Sequence, residues 1–169
     1  MGPADPKKTL NVYDNLLVIS SRRRKENNLL TLKSFYQFAE ESNIPVVPFP
    51  LGDLEAMSCM DSEGRCYIGV DPERITSEQD EKMKLAHELG HATQGAYYNK
   101  YATCDVWKRQ ENKADRWAFE HLVSKKEIHE AIKHGYVENW QLAELFDVPP
   151  ETMARICHYY KYGNMDVIS

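Results

Sequence analysis

Residues 87–91 read HELGH, an H-E-x-x-H pattern, and no other stretch constrains the fold of this chain as strongly. The residues before it predict a helix, because positions 81–86 hold good helix formers without proline or a β-branched residue. Two overlapping capping boxes precede them, Thr76 with Gln79 and Ser77 with Asp80. Residues four apart share a helix face, so His87 and His91 can offer two imidazole nitrogens to one ion, as tetrahedral zinc accepts. Glu88 would then lie near the open coordination position, where it can take a proton from water.

Gly90 lies on the same side of this predicted helix as the two histidines. That side, which we expect to face inward, carries Met83, Ala86, His87, Gly90 and His91. Glycine in a helix interior costs about 1 kcal/mol relative to alanine. Its presence therefore predicts that another part of the chain approaches the helix backbone closely at this point.

A second helix is predicted over residues 109–118, and it carries the candidates for the third protein ligand that a catalytic zinc needs. Its apolar stripe has helical spacing and consists of Ala114, Trp117, Ala118 and Leu122. Glu111 and Asp115 lie on the flank of this stripe, and carboxylates are seldom buried without a partner. We therefore assign Glu111 as the third ligand. We expect Asp115 to accept the second ring N–H of a ligand histidine, His87.

Asp105 and His121 are alternative ligands with weaker support. Asp105 falls in a predicted loop. Asp115 as the ligand would leave Glu111 unexplained. His121 is better explained as a partly exposed histidine in a helix.

The two halves of the pattern together resemble a known family. H-E-x-x-H followed after nineteen residues by E-x-x-x-D is similar to the gluzincin arrangement of thermolysin-type metallopeptidases. The finer pattern resembles the ImmA/IrrE family of small bacterial and phage metallopeptidases, over residues 30–160. In that family the second segment usually reads E-x-E-A-D/N-x-F-A. This chain departs from it with Lys113 and Trp117, neither of which is a proposed ligand.

The order of predicted elements indicates an α+β fold with a minimal zincin-like domain, in which a small sheet with a hairpin packs on the two ligand helices. The sheet strands are a proline-rich edge strand over 44–50 and a hairpin of 56–60 with 65–70. Further helices are predicted over 30–42, 127–133, 140–146 and 150–160. We divide the chain into an N-terminal arm (1–29), a zincin-like core (30–124) and a C-terminal helical subdomain (125–169).

The composition of the 169 residues indicates which classes of binding partner and which cellular compartment to expect. A net charge of -5 and a pI of about 5.7 argue against a protein built to bind nucleic acid. No apolar run approaches the ~20 residues of a membrane span, and no secretion signal is recognisable. Four cysteines without C-x-x-C spacing indicate a reduced, cytoplasmic setting. A Cys59–Cys66 bridge across the hairpin is conceivable, and the basic run 21–25 fits a solvated connector better than an anion site.

Three further features of the sequence each have two interpretations. If residues 65–70 form an exposed edge, their backbone would hold an extended peptide substrate, and otherwise they form an interior strand. Tyr98 and Tyr101 are candidates for stabilising an oxyanion, although surface packing explains both tyrosines equally well. The helices over 140–160 resemble a helix-turn-helix, but Arg155 and Lys161 are too few cations for phosphate contacts, which favours packing or repressor docking over DNA binding.

These features predict a cytoplasmic zinc endopeptidase, in which zinc held by His87, His91 and Glu111 activates water and Glu88 transfers its proton. The resemblance further implies a protein substrate, a helix-turn-helix repressor of a phage or mobile element. An alternative is a metal-containing module that regulates a repressor by docking, without hydrolysis. A DNA-binding regulator is a third and weaker hypothesis.

Overall fold

The computed structural model describes residues 31–98 and 101–163. Within these ranges the chain forms six α-helices and three strands. The helices are α1 (Leu32–Glu41), α2 (Glu78–Gln94), α3 (Cys104–Leu122), α4 (Lys125–Lys133), α5 (Asn139–Phe146) and α6 (Pro150–Tyr162). The strands are β1 (Val46–Pro48), β2 (Ala56–Met60) and β3 (Cys66–Val70). This confirms the predicted α+β class, with a small sheet that packs against α2, which in turn packs on α3.

The sheet has the strand order β1-β3-β2, with β1 parallel and β2 antiparallel to β3. The hairpin and the proline-rich edge strand were therefore predicted correctly. The hypothesis that residues 65–70 form an exposed edge is wrong, because β3 pairs on both sides. The two edge strands of the sheet are β1 and β2, and β2 is the one that packs against α2.

The four cysteines are all free. In the hairpin, Cys66 is opposite Met60 and Cys59 is opposite Tyr67. Because successive residues of a strand point to opposite faces, the Cys59 and Cys66 side chains lie on different faces of the sheet. The conceivable bridge between them is therefore excluded by the register.

The metal helix α2 begins where the sequence indicated. Ser77 is the N-cap, and its hydroxyl accepts a hydrogen bond from the Asp80 N–H at 3.1 Å. The Asp80 carboxylate in turn accepts from the backbone N–H and the hydroxyl of Thr76, both at 3.0 Å. Of the two overlapping boxes, the Ser77–Asp80 pair is therefore the one that caps the helix.

Helix α3 crosses α2 at Gly90. A Cβ atom at Gly90 would lie 2.5 Å from the Ala114 carbonyl oxygen and 2.8 Å from the Ala114 Cα. The predicted close approach to this glycine is therefore confirmed, and it is the α3 backbone that makes it. Only with this glycine can α3 carry its carboxylates so near to the histidines.

Helix α3 starts five residues earlier than predicted, at Cys104, with the Thr103 hydroxyl as its cap. Asp105 therefore lies in the first helical turn and not in a loop. At that position its negative charge interacts favourably with the helix dipole. The apolar stripe was predicted correctly, since its four members are buried: Ala114, Trp117, Ala118 and Leu122.

The C-terminal helices share a hydrophobic core with the rest of the described chain. The core runs from Phe35 of α1 through Leu85 of α2 and Phe119 of α3 to Met153 of α6. The turn between α5 and α6 is also docked on α2, because the buried Lys82 ammonium donates to the carbonyl and the carboxylate of Asp147. The predicted division of the chain at residue 124 stays a prediction.

The predicted N-terminal arm (1–29), with its basic run, and residues 164–169 of the predicted C-terminal subdomain lie outside the described residues. Across the helices that the structure does describe, none combines the length and apolar character needed to cross a membrane.

Candidate metal centre

Two histidines of α2 and one carboxylate of α3 converge at one point. One ligand atom each from His87, His91 and Glu111 lie within 4.8 Å of one another. The two Nε2 atoms are 3.1 Å apart. The Glu111 oxygens lie 3.3 Å from His87 Nε2 and 3.4 Å from His91 Nε2. The three residues assigned as ligands from the sequence are therefore brought together.

These separations match the spacing of zinc ligands. With metal–donor bonds of about 2.0–2.1 Å and tetrahedral angles, neighbouring donor atoms lie about 3.3 Å apart. The two Nε2 atoms, 3.1 Å apart, lie close to that separation, and each of them is 3.3–3.4 Å from a different oxygen of Glu111. Two imidazole nitrogens and one carboxylate oxygen are also a donor set that zinc uses in hydrolytic enzymes. The residues present thus fit a tetrahedral dication with one position left for water.

Each histidine is oriented through its other ring nitrogen. The Nδ1 atom of His87 lies 3.0 Å from Oδ1 of Asp115, the partner that the sequence suggested. The Nδ1 atom of His91 lies 2.7 Å from the Ala96 carbonyl oxygen, just beyond the left-handed Gly95 that caps α2. With the proton on Nδ1, both Nε2 lone pairs face the shared point, which is the tautomer that metal binding needs.

The charges of the centre are strongly coupled. Burial alone would lower the pKa of His87, but hydrogen bonds with Asp115 and Glu111 outweigh it and raise that pKa to about 10. Burial likewise opposes ionisation of Glu111, but hydrogen bonds from His87, His91 and Tyr98 hold its pKa well below the usual range. Without a dication, the carboxylates therefore keep a proton on His87, and a metal must displace that proton.

Glu88 faces the same cavity, at the exposed edge of the sheet. Its carboxylate accepts a hydrogen bond of 2.6 Å from the backbone N–H of Ser58 in β2. A cavity of about 310 Å³ lies between this strand and the metal ligands, and Glu88 is among its lining residues. The glutamate is thus held beside the open side of the centre, where the general base of a hydrolase has to be.

The two candidate tyrosines have different positions. Tyr98 lines the cavity, and its hydroxyl donates to Oε1 of Glu111 at 2.7 Å while accepting from the Trp107 indole at 3.0 Å. Burial and the hydrogen bond to Glu111 raise the pKa of Tyr98 to about 12. Tyr101 is 81% exposed and is not among the residues that line the cavity. Tyr97, which the sequence did not single out, does line it.

Three partners of the centre were not predicted: the Ser58 N–H, the Trp107 indole and the Arg155 guanidinium. Arg155 of α6 donates to Oδ2 of Asp115. No local sequence signal indicates this contact, because the two residues are 40 positions apart on different helices. The alternative ligand His121 stacks on Trp117 and bonds its carbonyl oxygen at 2.7 Å, and it does not belong to the cluster.

A solved structure with a similar fold is that of a Mycobacterium tuberculosis transcriptional regulator, with a TM-score of 0.57 and 13% sequence identity. The match covers 86% of this chain and 46% of that chain, so this chain spans just under half the length of the regulator. At this identity the likeness shows the fold alone. No curated protein is similar enough in sequence to match the chain.

A family model decides the relationship. The peptidase M78 model, described as the IrrE N-terminal-like domain, matches residues 39–158. That range is well over half of the chain, and it contains the H-E-x-x-H helix, the Glu111 helix and most of the C-terminal helices. The ImmA/IrrE resemblance seen in the sequence is thereby confirmed, and the chain belongs to this metallopeptidase family, M78.

Proposed function

We propose that this protein is a zinc-dependent endopeptidase of the H-E-x-x-H…E-x-x-x-D type. One observation carries the proposal: one ligand atom each from His87, His91 and Glu111 lie within 4.8 Å of one another, and Glu88 lines the same cavity. In this proposal, Asp115 fixes the orientation of His87. Zinc is preferred over other dications because two imidazoles and one carboxylate suit it.

The exposed edge of β2 is the proposed docking strand for an extended peptide. Odd-numbered positions of this hairpin bond across to β3, as the bonds between Asp71 N–H and Glu55 and between Asp61 N–H and Arg65 indicate. The even-numbered residues Ala56, Ser58 and Met60 therefore turn their backbone groups away from β3. The Ser58 N–H is bonded to Glu88, so the Ser58 carbonyl and the backbone groups of Ala56 and Met60 are the ones proposed to pair with a substrate strand. A substrate strand that pairs there places one of its peptide bonds beside Glu88.

Hydrolysis then needs a proton acceptor and donor beside the scissile bond. A bound zinc ion would lower the pKa of water towards 7 and polarise the scissile carbonyl. The Glu88 carboxylate accepts the proton of the attacking water and returns it to the nitrogen of the leaving amine as the C–N bond breaks. The Tyr98 hydroxyl, neutral with a pKa of about 12, would have to release Oε1 of Glu111 before it could donate a hydrogen bond to the oxygen that becomes negative.

We infer a cytoplasmic protein substrate, namely a helix-turn-helix repressor of a phage or mobile element. The family resemblance supports this inference. The test is co-expression with the repressor encoded nearest to the gene, followed by mass spectrometry of the repressor fragments. We expect a single cut with the wild-type chain.

Glu88→Gln is the matched variant, because it keeps size and polarity but removes the base. Loss of the base should slow cleavage about 10²–10⁴-fold while zinc is still bound. Undiminished cleavage by Glu88→Gln would rule out the mechanism. Regulation of the repressor that survives Glu88→Gln but is lost in His87→Ala would favour the docking module instead. Salt-sensitive binding of duplex DNA would favour the DNA-binding hypothesis.

A further inference from the structure

Side chains of helix α6 contact α3 and the residue that follows it. Besides the contact of Arg155 with Asp115, the Tyr159 hydroxyl donates to Glu120 at 2.6 Å. The Tyr160 hydroxyl donates to the carbonyl of Val123 at 2.8 Å. Helix α6 also makes apolar contacts, since Met153 and Ile156 are completely buried in the shared core. The second helix of the helix-turn-helix-like segment is thus packed on the helix that supplies the third ligand.

One of these contacts continues to the metal centre. Asp115 uses Oδ1 for His87 Nδ1 and Oδ2 for the Arg155 guanidinium, so both carboxylate oxygens are engaged. Its side chain is only 13% exposed. The Arg155 side chain is 44% exposed, and its guanidinium carbon lies 5.2 Å from the centre of the Phe119 ring, within the range of a cation–π contact. An unbroken chain of polar contacts therefore runs from α6 through Asp115 to His87.

We propose that Arg155 is a positioning residue for the metal centre, through which helix α6 sets the affinity for the metal. A carboxylate bonded at one oxygen can rotate about its side-chain bonds, whereas bonds at both oxygens define its plane. With Asp115 defined in this way, the His87 ring is held with Nε2 towards the shared point before any metal arrives. The guanidinium also offsets one of three carboxylates near His87: Glu88, Glu111 and Asp115.

This inference rests on the proposed zinc site, and its test measures metal binding rather than cleavage. Arg155→Met keeps the aliphatic stem and removes the charge and the donors. Tyr159→Phe is the control, because it removes the neighbouring bond between α6 and α3 one turn away and leaves Asp115 untouched. Arg155→Lys keeps the charge but not the planar donor group. Zinc affinity is measured by competition with a chelator, and the visible absorption of bound Co²⁺ reports the ligand geometry.

Arg155→Met should weaken zinc binding about tenfold, the lower end for residues that support a ligand, and change the Co²⁺ spectrum. Arg155→Lys should recover part of the affinity, and Tyr159→Phe should bind zinc as the wild type does. Equal zinc affinity in Arg155→Met and wild type would overturn the inference, as would an equal loss in Tyr159→Phe. If Arg155→Met does not fold, unchanged affinity in Arg155→Lys would overturn it. A wild-type chain that binds no zinc would instead refute the proposed function.

Discussion

His87 and His91 lie one helical turn apart, yet the regions that hold them are built differently. The His91 region is local, since its Nδ1 atom meets the Ala96 carbonyl only five residues further along the chain. The His87 region is assembled from three helices, through Asp115 of α3 and Arg155 of α6. The side chain of His91 is 8% exposed, whereas that of His87 is 26% exposed.

The difference teaches how much of a metal site depends on tertiary packing. The partner of His91 is a backbone carbonyl at a helix end, so α2 and its glycine cap orient that histidine by themselves. The partner of His87 reaches it only if α3 and α6 are correctly docked. Perturbations of helix packing should therefore affect the His87 region first and the His91 region last.

Gly90→Ala should have the largest effect, because it separates the two helices on which the His87 region depends. The added Cβ would lie 2.5 Å from the Ala114 carbonyl oxygen, so α3 must move and carry Glu111 and Asp115 away. Overpacking of this kind costs about 1–3 kcal/mol, more than the helix preference of alanine recovers. We expect a lower Tm by calorimetry and loss of zinc binding.

Gly64→Ala is the control for this variant. Gly64 has a φ of +81° in the hairpin turn, and a Cβ there meets nothing within 4 Å. It should lower stability without affecting zinc affinity. Wild-type zinc affinity in Gly90→Ala would show that the close crossing of the helices does not support the site.

Asp115→Asn should have the next largest effect, since it weakens one histidine region and leaves the other intact. The amide keeps an oxygen for the His87 N–H but loses the charge that favours this contact. Zinc affinity should fall about 10–100-fold, measured by chelator competition. Glu120→Gln, a carboxylate of the same helix that bonds Tyr159, is the control and should bind zinc normally. An equal fall in both variants would contradict a specific role for Asp115.

The pH dependence should distinguish the metal-free from the metal-bound protein. The pKa of His87 in the metal-free fold is raised from 6.5 to about 10. The stability that this imidazolium contributes is complete below pH 6.5 and is lost as the pH rises through about 10. Zinc must displace the same proton, so its affinity should rise about tenfold per pH unit in this window.

Urea denaturation with a chelator present should therefore show decreasing stability from pH 6.5 to 10, while calorimetry shows zinc binding becoming tighter. Proton release on zinc binding can be measured in buffers of different ionisation enthalpy. A zinc affinity independent of pH across this window would contradict the assignment of His87 as a ligand.

Gly95→Ala should have the smallest effect, because it changes only the end of α2 beside His91 and leaves the packing of α3 and α6 unchanged. Gly95 has a φ of +56°, and a Cβ there meets nothing within 4 Å. A left-handed alanine costs about 1 kcal/mol, which should appear as a slightly lower Tm. Since the Ala96 carbonyl stays in place, zinc affinity should be unchanged. A large loss of zinc affinity would show that the His91 region is less self-contained than its geometry indicates.

The same division between local and remote contacts decided what could be predicted from the sequence. The metal helix, its Ser77 cap and the close approach at Gly90 follow from neighbouring residues and helical spacing. Glu111 and Asp115 could be placed because an apolar stripe defined the face of their helix. The hairpin followed from a glycine-containing turn between two short strands.

The missing information concerned contacts between distant residues. The strand order could not be predicted, because no local sequence signal shows that β1 pairs with β3 on the side opposite β2. The Lys82–Asp147 contact spans 65 positions, and the Asp115–Arg155 contact spans 40. A charged residue on a predicted helix gives no indication of which distant residue it contacts. For that reason the sequence indicates Arg155 only as a possible phosphate contact and not as a partner of Asp115.

The hydrogen bond from Ser58 to Glu88 has one further consequence. The strand that is proposed to align a polypeptide also holds Glu88, the proposed general base, through a single hydrogen bond of 2.6 Å from a peptide N–H. The position of the substrate and the position of the Glu88 carboxylate are thereby both set by the backbone at Ser58. A substrate that pairs with this edge in a register shifted by two residues would still place a peptide bond beside the Glu88 carboxylate. We therefore expect such a substrate to be cut at a different bond and not to escape cleavage.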